Sequence, residues 1–140
     1  MSFLLLCSAT AAAQAPAKPA PAVSNGAQGT PAYAEILLKS TAVEAELESL
    51  LLDYTEDFPR VKELKYEHGL LEKEKSRLKA LKPDQVSKLS LALGRLIVQR
   101  VELETDLWKL SENYKEEHPD VRRVKRKLEI YQKAIAEIMG

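Results

Sequence analysis

Chemistry in this chain would have to rest on very few residues. His68 and His118 are the only imidazoles among 140 residues, and Cys7 is the only thiol. A zinc site or a nucleophile–base pair needs such groups gathered at short, defined spacings. Here the two histidines stand far apart, neither has a cysteine nearby, and no His-x-x-x-His or His-Glu-x-x-His string occurs. No Gly-x-x-x-x-Gly-Lys-Ser/Thr, Gly-x-Gly-x-x-Gly or Gly-x-Ser-x-Gly string is present either. The acids fall at the spacing of a solvated helix surface. We therefore assign no catalytic, cofactor-binding or metal-ligating residue, expect no cofactor, and read the chain as non-enzymatic. His68 is expected in a helix seam, fixing register, and His118 in a turn that it caps or fills.

One dense basic run remains, Arg122, Arg123, Lys125, Arg126 and Lys127 around Val124. Such a run suits an anionic partner: nucleic acid, lipid head groups or an acidic polysaccharide. It equally suits an acidic helix of the same fold, and that is the first reading. Lysine plus arginine and aspartate plus glutamate number 21 each, for a formal net charge of zero. A balanced chain is poorly suited to nucleic acid as a whole. Trp108 and the tyrosines could stack on sugars, but at helical spacing they read as core or bundle-edge residues.

The N-terminal residues differ from the rest. Phe3-Leu4-Leu5-Leu6-Cys7 is a short apolar run, followed by small residues through Ala15. That order is the signature of a secretory signal peptide over 1–15, cut after Ala13 or Ala15. The run lacks the usual basic flank, which a start codon further upstream would supply. It is too short to span a bilayer, so the mature chain is expected to have no transmembrane helix. Residues 16–32, rich in proline and alanine, read as a flexible linker, so the N-terminal segment is expected to be disordered. An exported protein, periplasmic or extracellular, follows from this reading. Cys7 would leave with the leader.

Heptad spacing then organises residues 33–139 into an all-α, coiled-coil domain. A first helix, about 33–54, carries Ile36, Val43, Leu47, Leu50 and Tyr54. A second, about 59–81, carries Val61, Leu64, Leu71 and Leu78, with His68 and Lys75 as polar insertions. A third, about 84–114, carries Leu89, Leu93, Leu96, Leu103, Leu107 and Leu110, interrupted by Arg100. Ile97, Val98, Val101 and Trp108 widen its stripe toward a second neighbour. A fourth, about 119–139, carries Val121, Val124, Leu128, Tyr131, Ile135 and Ile138.

Shifting 43–73 by sixty residues onto 103–133 aligns Glu44/Glu104, Leu47/Leu107, Leu50/Leu110, Tyr54/Tyr114, Glu56/Glu116, Pro59/Pro119, Val61/Val121, Lys65/Lys125 and Lys73/Lys133. Heptads alone would align leucines, not a Tyr-x-Glu-x-x-Pro-x-Val string. We read two repeats, about 33–81 and 84–139, each centred on a break motif: Tyr54, Phe58, Pro59 and Val61, then Tyr114, His118, Pro119 and Val121. The breaks either reverse the chain, giving antiparallel hairpins in an up-down-up-down bundle, or kink it, giving a long antiparallel coiled coil. Reversal is favoured, since four residues are a normal connection between helices. In such a bundle the acidic first helix and the basic fourth would be neighbours; the same charges could instead join two chains.

The string Tyr-x-x-x-His-Pro-x-Val at Tyr114–Val121, entered by a leucine-rich helix and left by Val-x-x-x-Lys-x-x-Leu, resembles the coiled-coil segment of the polysaccharide co-polymerases. These are the chain-length determinants of bacterial surface-polysaccharide export, including the tyrosine-kinase type. Tyr54–Pro59 resembles the same motif with Phe58 in the histidine's place, and Lys82-Pro83-Asp84-Gln85 the proline turn that follows it. The resemblance covers about 45–139. It implies an envelope compartment and a helical part used for assembly. Membrane anchoring, the α/β domain and phosphotransfer have no matching residues and are not carried over. The expected function is an exported helical scaffold or interaction protein of the cell envelope, linked to surface-polysaccharide export. Its partner would be a second copy or another envelope protein, with polysaccharide as a further candidate. The alternatives are a periplasmic holdase-like chaperone and a basic-helix binder of anionic polymer or membrane.

Overall fold

Four of the five helices open on a proline, where the missing N–H has no intrahelical partner to lose and the fixed φ suits the first turn. The computed structural model describes residues 26–140. A 3-10 turn, Gly26–Gly29, leads into α1 (Pro31–Leu51), α2 (Pro59–Lys79), the single-turn α3 (Pro83–Val86), α4 (Leu91–Asn113) and α5 (Pro119–Met139). No strand occurs among the described residues. The expected leader, 1–15, and the linker up to residue 25 lie outside them.

Two boundaries depart from the sequence reading. The linker was expected to run to residue 32, but the 3-10 turn takes Gly26–Gly29 and Thr30 caps α1, its Oγ1 accepting from Tyr33 N at 3.3 Å. The third helix was expected to be continuous over 84–114. It is broken instead, because Ser90 caps a new helix, accepting from Leu93 N at 3.3 Å. A side-chain acceptor at this position competes with helix propagation. The break puts Leu89 in the core, and its carbonyl receives Ala32 N at 3.3 Å, satisfying one of the free donors of α1.

Both Tyr…Pro breaks reverse the chain. α1 and α2 form one antiparallel hairpin, α4 and α5 a second, and the two meet through α1 and α4 running parallel, with α2 also against α4. Ile36, Val43, Leu47, Val61, Leu64, Leu71, Leu78, Leu93, Ile97, Val98 and Val101 are the buried centre of this three-helix contact. Each such side chain contributes about 1.5–3 kcal/mol by leaving water. α5 adds only Val121 to the buried set. Val124, Leu128, Tyr131, Ile135 and Ile138 are half-buried, because α5 packs mainly along α4 and meets the rest only near its C-terminus, where Ile135, Ile138 and Met139 reach the core and Met139 O accepts from Lys88 Nζ. The expected contact of first and fourth helices within one chain therefore does not form. The broad apolar side of α4 takes up both α1 and α2, and α5 is left on its far flank.

α1 and α4 meet most closely at Gly94, where an added Cβ would lie 2.8 Å from Ala32 Cα and 2.9 Å from Ala32 O. Gly69 in α2 has nothing within 4 Å of the same position. Alanine is favoured over glycine in a helix by about 1 kcal/mol. Gly69→Ala should therefore raise the urea midpoint. Gly94→Ala should lower the midpoint, costing about 1–3 kcal/mol of stability, since backbone and not a flexible side chain must move. Urea titrations followed by far-ultraviolet circular dichroism check both.

Candidate interaction surfaces

The break residues build the same turn twice. Tyr54 N donates to Leu50 O and Tyr114 N to Leu110 O, both at 2.8 Å; Phe58 N donates to Thr55 O at 3.1 Å and His118 N to Lys115 O at 3.0 Å. Each tyrosine ring stacks on the ring four residues later, Tyr54 on Phe58 at 4.2 Å and Tyr114 on His118 at 4.1 Å. Pro59 and Pro119 begin the next helices, and Val61 and Val121 bury the first inward side chain of each. Lys65 reaches back to Glu56 at 2.9 Å and Lys125 to Glu116 at 3.0 Å. Tyrosine, aromatic, proline, valine, glutamate and lysine thus hold one hairpin turn between them, and the string shared by the two repeats is explained as architecture. The second turn has one addition, His118 Nδ1 accepting from Asp120 N at 3.3 Å.

The basic run lies on the outside of α5. Arg122, Arg123, Arg126 and Lys127 are exposed and Lys125 half-buried. Arg123 pairs with Asp120 at 3.0 Å, Lys125 with Glu116 at 3.0 Å and Arg126 with Glu129 at 2.8 Å. All three acids are local. The first reading of this run, as the partner of the acidic first helix, is therefore corrected within the chain. On α1, Glu46 pairs with Arg60 of α2 at 2.8 Å, while Glu44 and Glu48 are exposed.

Charges inside the three-helix contact are spent on one another. Lys39 of α1 stands 2.7 Å from Glu102 of α4 and 3.1 Å from Glu67 of α2, the second with poor hydrogen-bond alignment. Burial works to lower the Lys39 pKa, but the hydrogen bond with Glu102 and the nearby charge of Glu67 hold it above the ordinary lysine value. Arg100, which interrupts the leucine seam in the sequence, pairs with Glu74 of α2 at 2.8 Å; the two side chains are 12% and 8% exposed. The sequence reading placed the polar insertions of the second helix at His68 and Lys75. The buried ones are Glu67 and Glu74, one residue earlier: with Leu64, Leu71 and Leu78 they keep a heptad spacing, but on the side of that row where Lys39 of α1 and Arg100 of α4 stand. The signal that could have found them is the lone Arg100, which demands a buried acid opposite. His68 is half-exposed, 3.5 Å from Glu72. Among the described residues no group of three or more His, Cys, Asp or Glu is arranged to hold a metal, and no helix is long and apolar enough to cross a membrane.

Comparison with protein-family models, curated proteins and solved structures gives no match. What the surface itself offers is a second stripe on α1. Ala34, Leu38, Thr41, Ala45 and Leu52 recur on the side turned away from the core, and all are exposed, Leu38 by 68% and Leu52 by 85%. Leu37 flanks them. The sequence reading followed the stronger inner seam and passed over this outer one.

The buried pair makes a sharp prediction. Glu74 also meets Arg77 at 3.0 Å, so Arg77→Met/Arg100→Met is what strands it and should cost about 3–5 kcal/mol, whereas adding Glu74→Leu should come close to the parent or exceed it; urea titrations of the variants measure both. Glu72 gives the acid-side prediction. A hydrogen bond from Lys75, helped by one from Ser40 and opposed by burial, holds its carboxyl below the ordinary range. A depressed carboxylate stabilises the fold above its unfolded-state pKa, about 4.3, and loses that contribution as pH falls through the folded value. The melting temperature should drop below about pH 4, and Glu72→Gln should flatten that limb of a melting curve series.

Proposed function

We propose that this chain is a non-enzymatic, exported helical scaffold of the cell envelope that binds other proteins through helix faces. The observation that carries the reading is the uncovered stripe on α1. Leu38 and Leu52 stand in solvent beside Ala34, Thr41 and Ala45, in helical register. A contiguous apolar stripe of this kind marks a contact surface. The interior charges support the same reading, since Lys39, Glu67, Arg100 and Glu74 are paired across helices and fix how the helices meet. Export rests on the apolar run and small residues of 1–15, and the link to surface-polysaccharide export on the resemblance of Tyr114–Val121 to the co-polymerase coiled coil.

A second reading has its own observation. Arg122, Arg123 and Arg126 are exposed together on α5 with no acid from another helix opposite them. That face suits an anionic polymer such as an acidic polysaccharide, whose binding would weaken steeply with salt.

A photo-crosslinking residue at Leu38, introduced in the native cells, should give protein adducts identifiable by mass spectrometry, and the same residue at exposed Lys73 should not. Adducts at neither position, with near-stoichiometric suppression of aggregation of a denatured client, would replace the scaffold by a holdase. Salt-sensitive retention on an acidic polysaccharide matrix, lost in Arg122→Glu/Arg123→Glu/Arg126→Glu, would favour the second reading.

A further inference from the structure

The two hairpins repeat at sixty residues along their whole length. Thr30 and Ser90 cap the first helix of each, α1 and α4 begin at Pro31 and Leu91, and α2 and α5 run Pro59–Lys79 and Pro119–Met139. Within the chain, α4 rests on both helices of the hairpin before it. This is the packing rule of a helical solenoid, in which each unit covers its neighbour and leaves its own outer face for the next.

The register says what would fit there. The side of α4 buried on the first hairpin presents Gly94, Ile97, Val98, Val101 and Thr105. Sixty residues earlier these positions are Ala34, Leu37, Leu38, Thr41 and Ala45, the exposed outer stripe of α1. The opposite side repeats as well. Ala32, in contact with Gly94, corresponds to exposed Ala92, and Leu70, packed on the core, corresponds to Ile130, which is 59% exposed.

Contacts between the hairpins can therefore be exchanged: add sixty to the residue of the first hairpin and subtract sixty from that of the second. Gly94 on Ala32 becomes Ala34 on Ala92. The Arg95–Glu35 pair, at 3.7 Å, returns as Glu35 and Arg95 with their roles exchanged, again opposite in charge. The Tyr66–Trp108 stack becomes Arg126 and Glu48, a cation from the α5 run and an acid of the outer α1 face. The Glu63–Lys109 and Lys39–Glu102 pairs become Arg123 with Ser49 and Gln99 with Ala42, so no like charges meet, while the Glu74–Arg100 pair has no counterpart, because Ser40 is buried within the first hairpin.

We propose that the occupant of the outer α1 face is the α4–α5 hairpin of a second copy of this chain. The copies join head to tail in the order that the two hairpins use within one chain, but set further apart where Ala34 takes the place of Gly94, since a Cβ at that position would lie 2.8 Å from the facing Cα. The inference rests on the scaffold reading above and names its partner. A face-to-face dimer through α5 would set one cationic run against another. The head-to-tail contact sets it against acids, and it leaves one face free at each end, so copies add in series or close a ring.

Cysteine cross-linking of the full chain in a Cys7→Ser background tests this. The double variant Ala34→Cys/Ala92→Cys should give a ladder of oligomers on oxidation, since both positions are exposed and their counterparts touch. Either single variant alone should stay monomeric, and a mixture of the two should stop at dimer. Leu38→Arg should abolish the ladder with the helical circular dichroism unchanged. Arg126→Glu should reduce cross-linking about two- to fivefold, and Glu48→Arg in the same chain should restore it. Dimers from a single variant, a monomeric double variant, or a ladder formed by residues 26–140 but blocked by residues 1–25 would each overturn the proposal. A foreign protein captured at Leu38 without a ladder would overturn it and spare the scaffold reading, while neither result would remove both.

Discussion

At Gly94 two helix backbones touch with no side chain between them, and the rest of the arrangement follows from that approach. It brings α1 and α4 together in parallel near their N-termini. Parallel first helices force α2, which doubles back along α1, into the groove beside α4. Charged residues are admitted to this contact at a few positions. Lys39 reaches an acid on each of the other two helices, and Arg100 meets Glu74. Replacing one partner of such a pair is costly, while the pair itself adds little net stability. Its use is to fix which helix lies against which.

The turns solve a different problem. A reversal between two long helices must satisfy the last carbonyls of one and the first amides of the next. Here a twelve-residue device, from Tyr54 to Lys65, does so with one ring-on-ring stack, one proline and one lysine-to-glutamate tie. The same contacts recur sixty residues on with their spacing intact. That the partner ring is phenylalanine in one copy and histidine in the other shows that flat stacking area, not imidazole chemistry, is the requirement.

Much of this was legible beforehand, for reasons particular residues make plain. Pro59 and Pro119 mark helix starts because their conformation is fixed by covalent geometry, and the fourth helix was read to the residue. The all-α class followed from leucine spacing. The split of the third helix was missed because Ser90 acts through one side-chain hydrogen bond, invisible to a hydrophobic period. The burial of Glu67 and Glu74 was missed because it depends on a partner in another helix. The expected meeting of acidic and basic helices failed within the chain because apolar area outweighs exposed charge in choosing neighbours: α4 offered more of it to α1 and α2 than α5 could.

The division of burial between the helices also bears on the order in which the molecule is made and taken apart. Apart from Val121, every fully buried side chain among the described residues precedes α5, which holds to the remainder mainly along one flank of α4 and through a few contacts at its C-terminus. A ribosome could release a finished interior before the last helix emerged from its exit tunnel. A steady pull on the ends would peel that helix away well before the others yielded, so its attachment behaves more like a latch than like a wall.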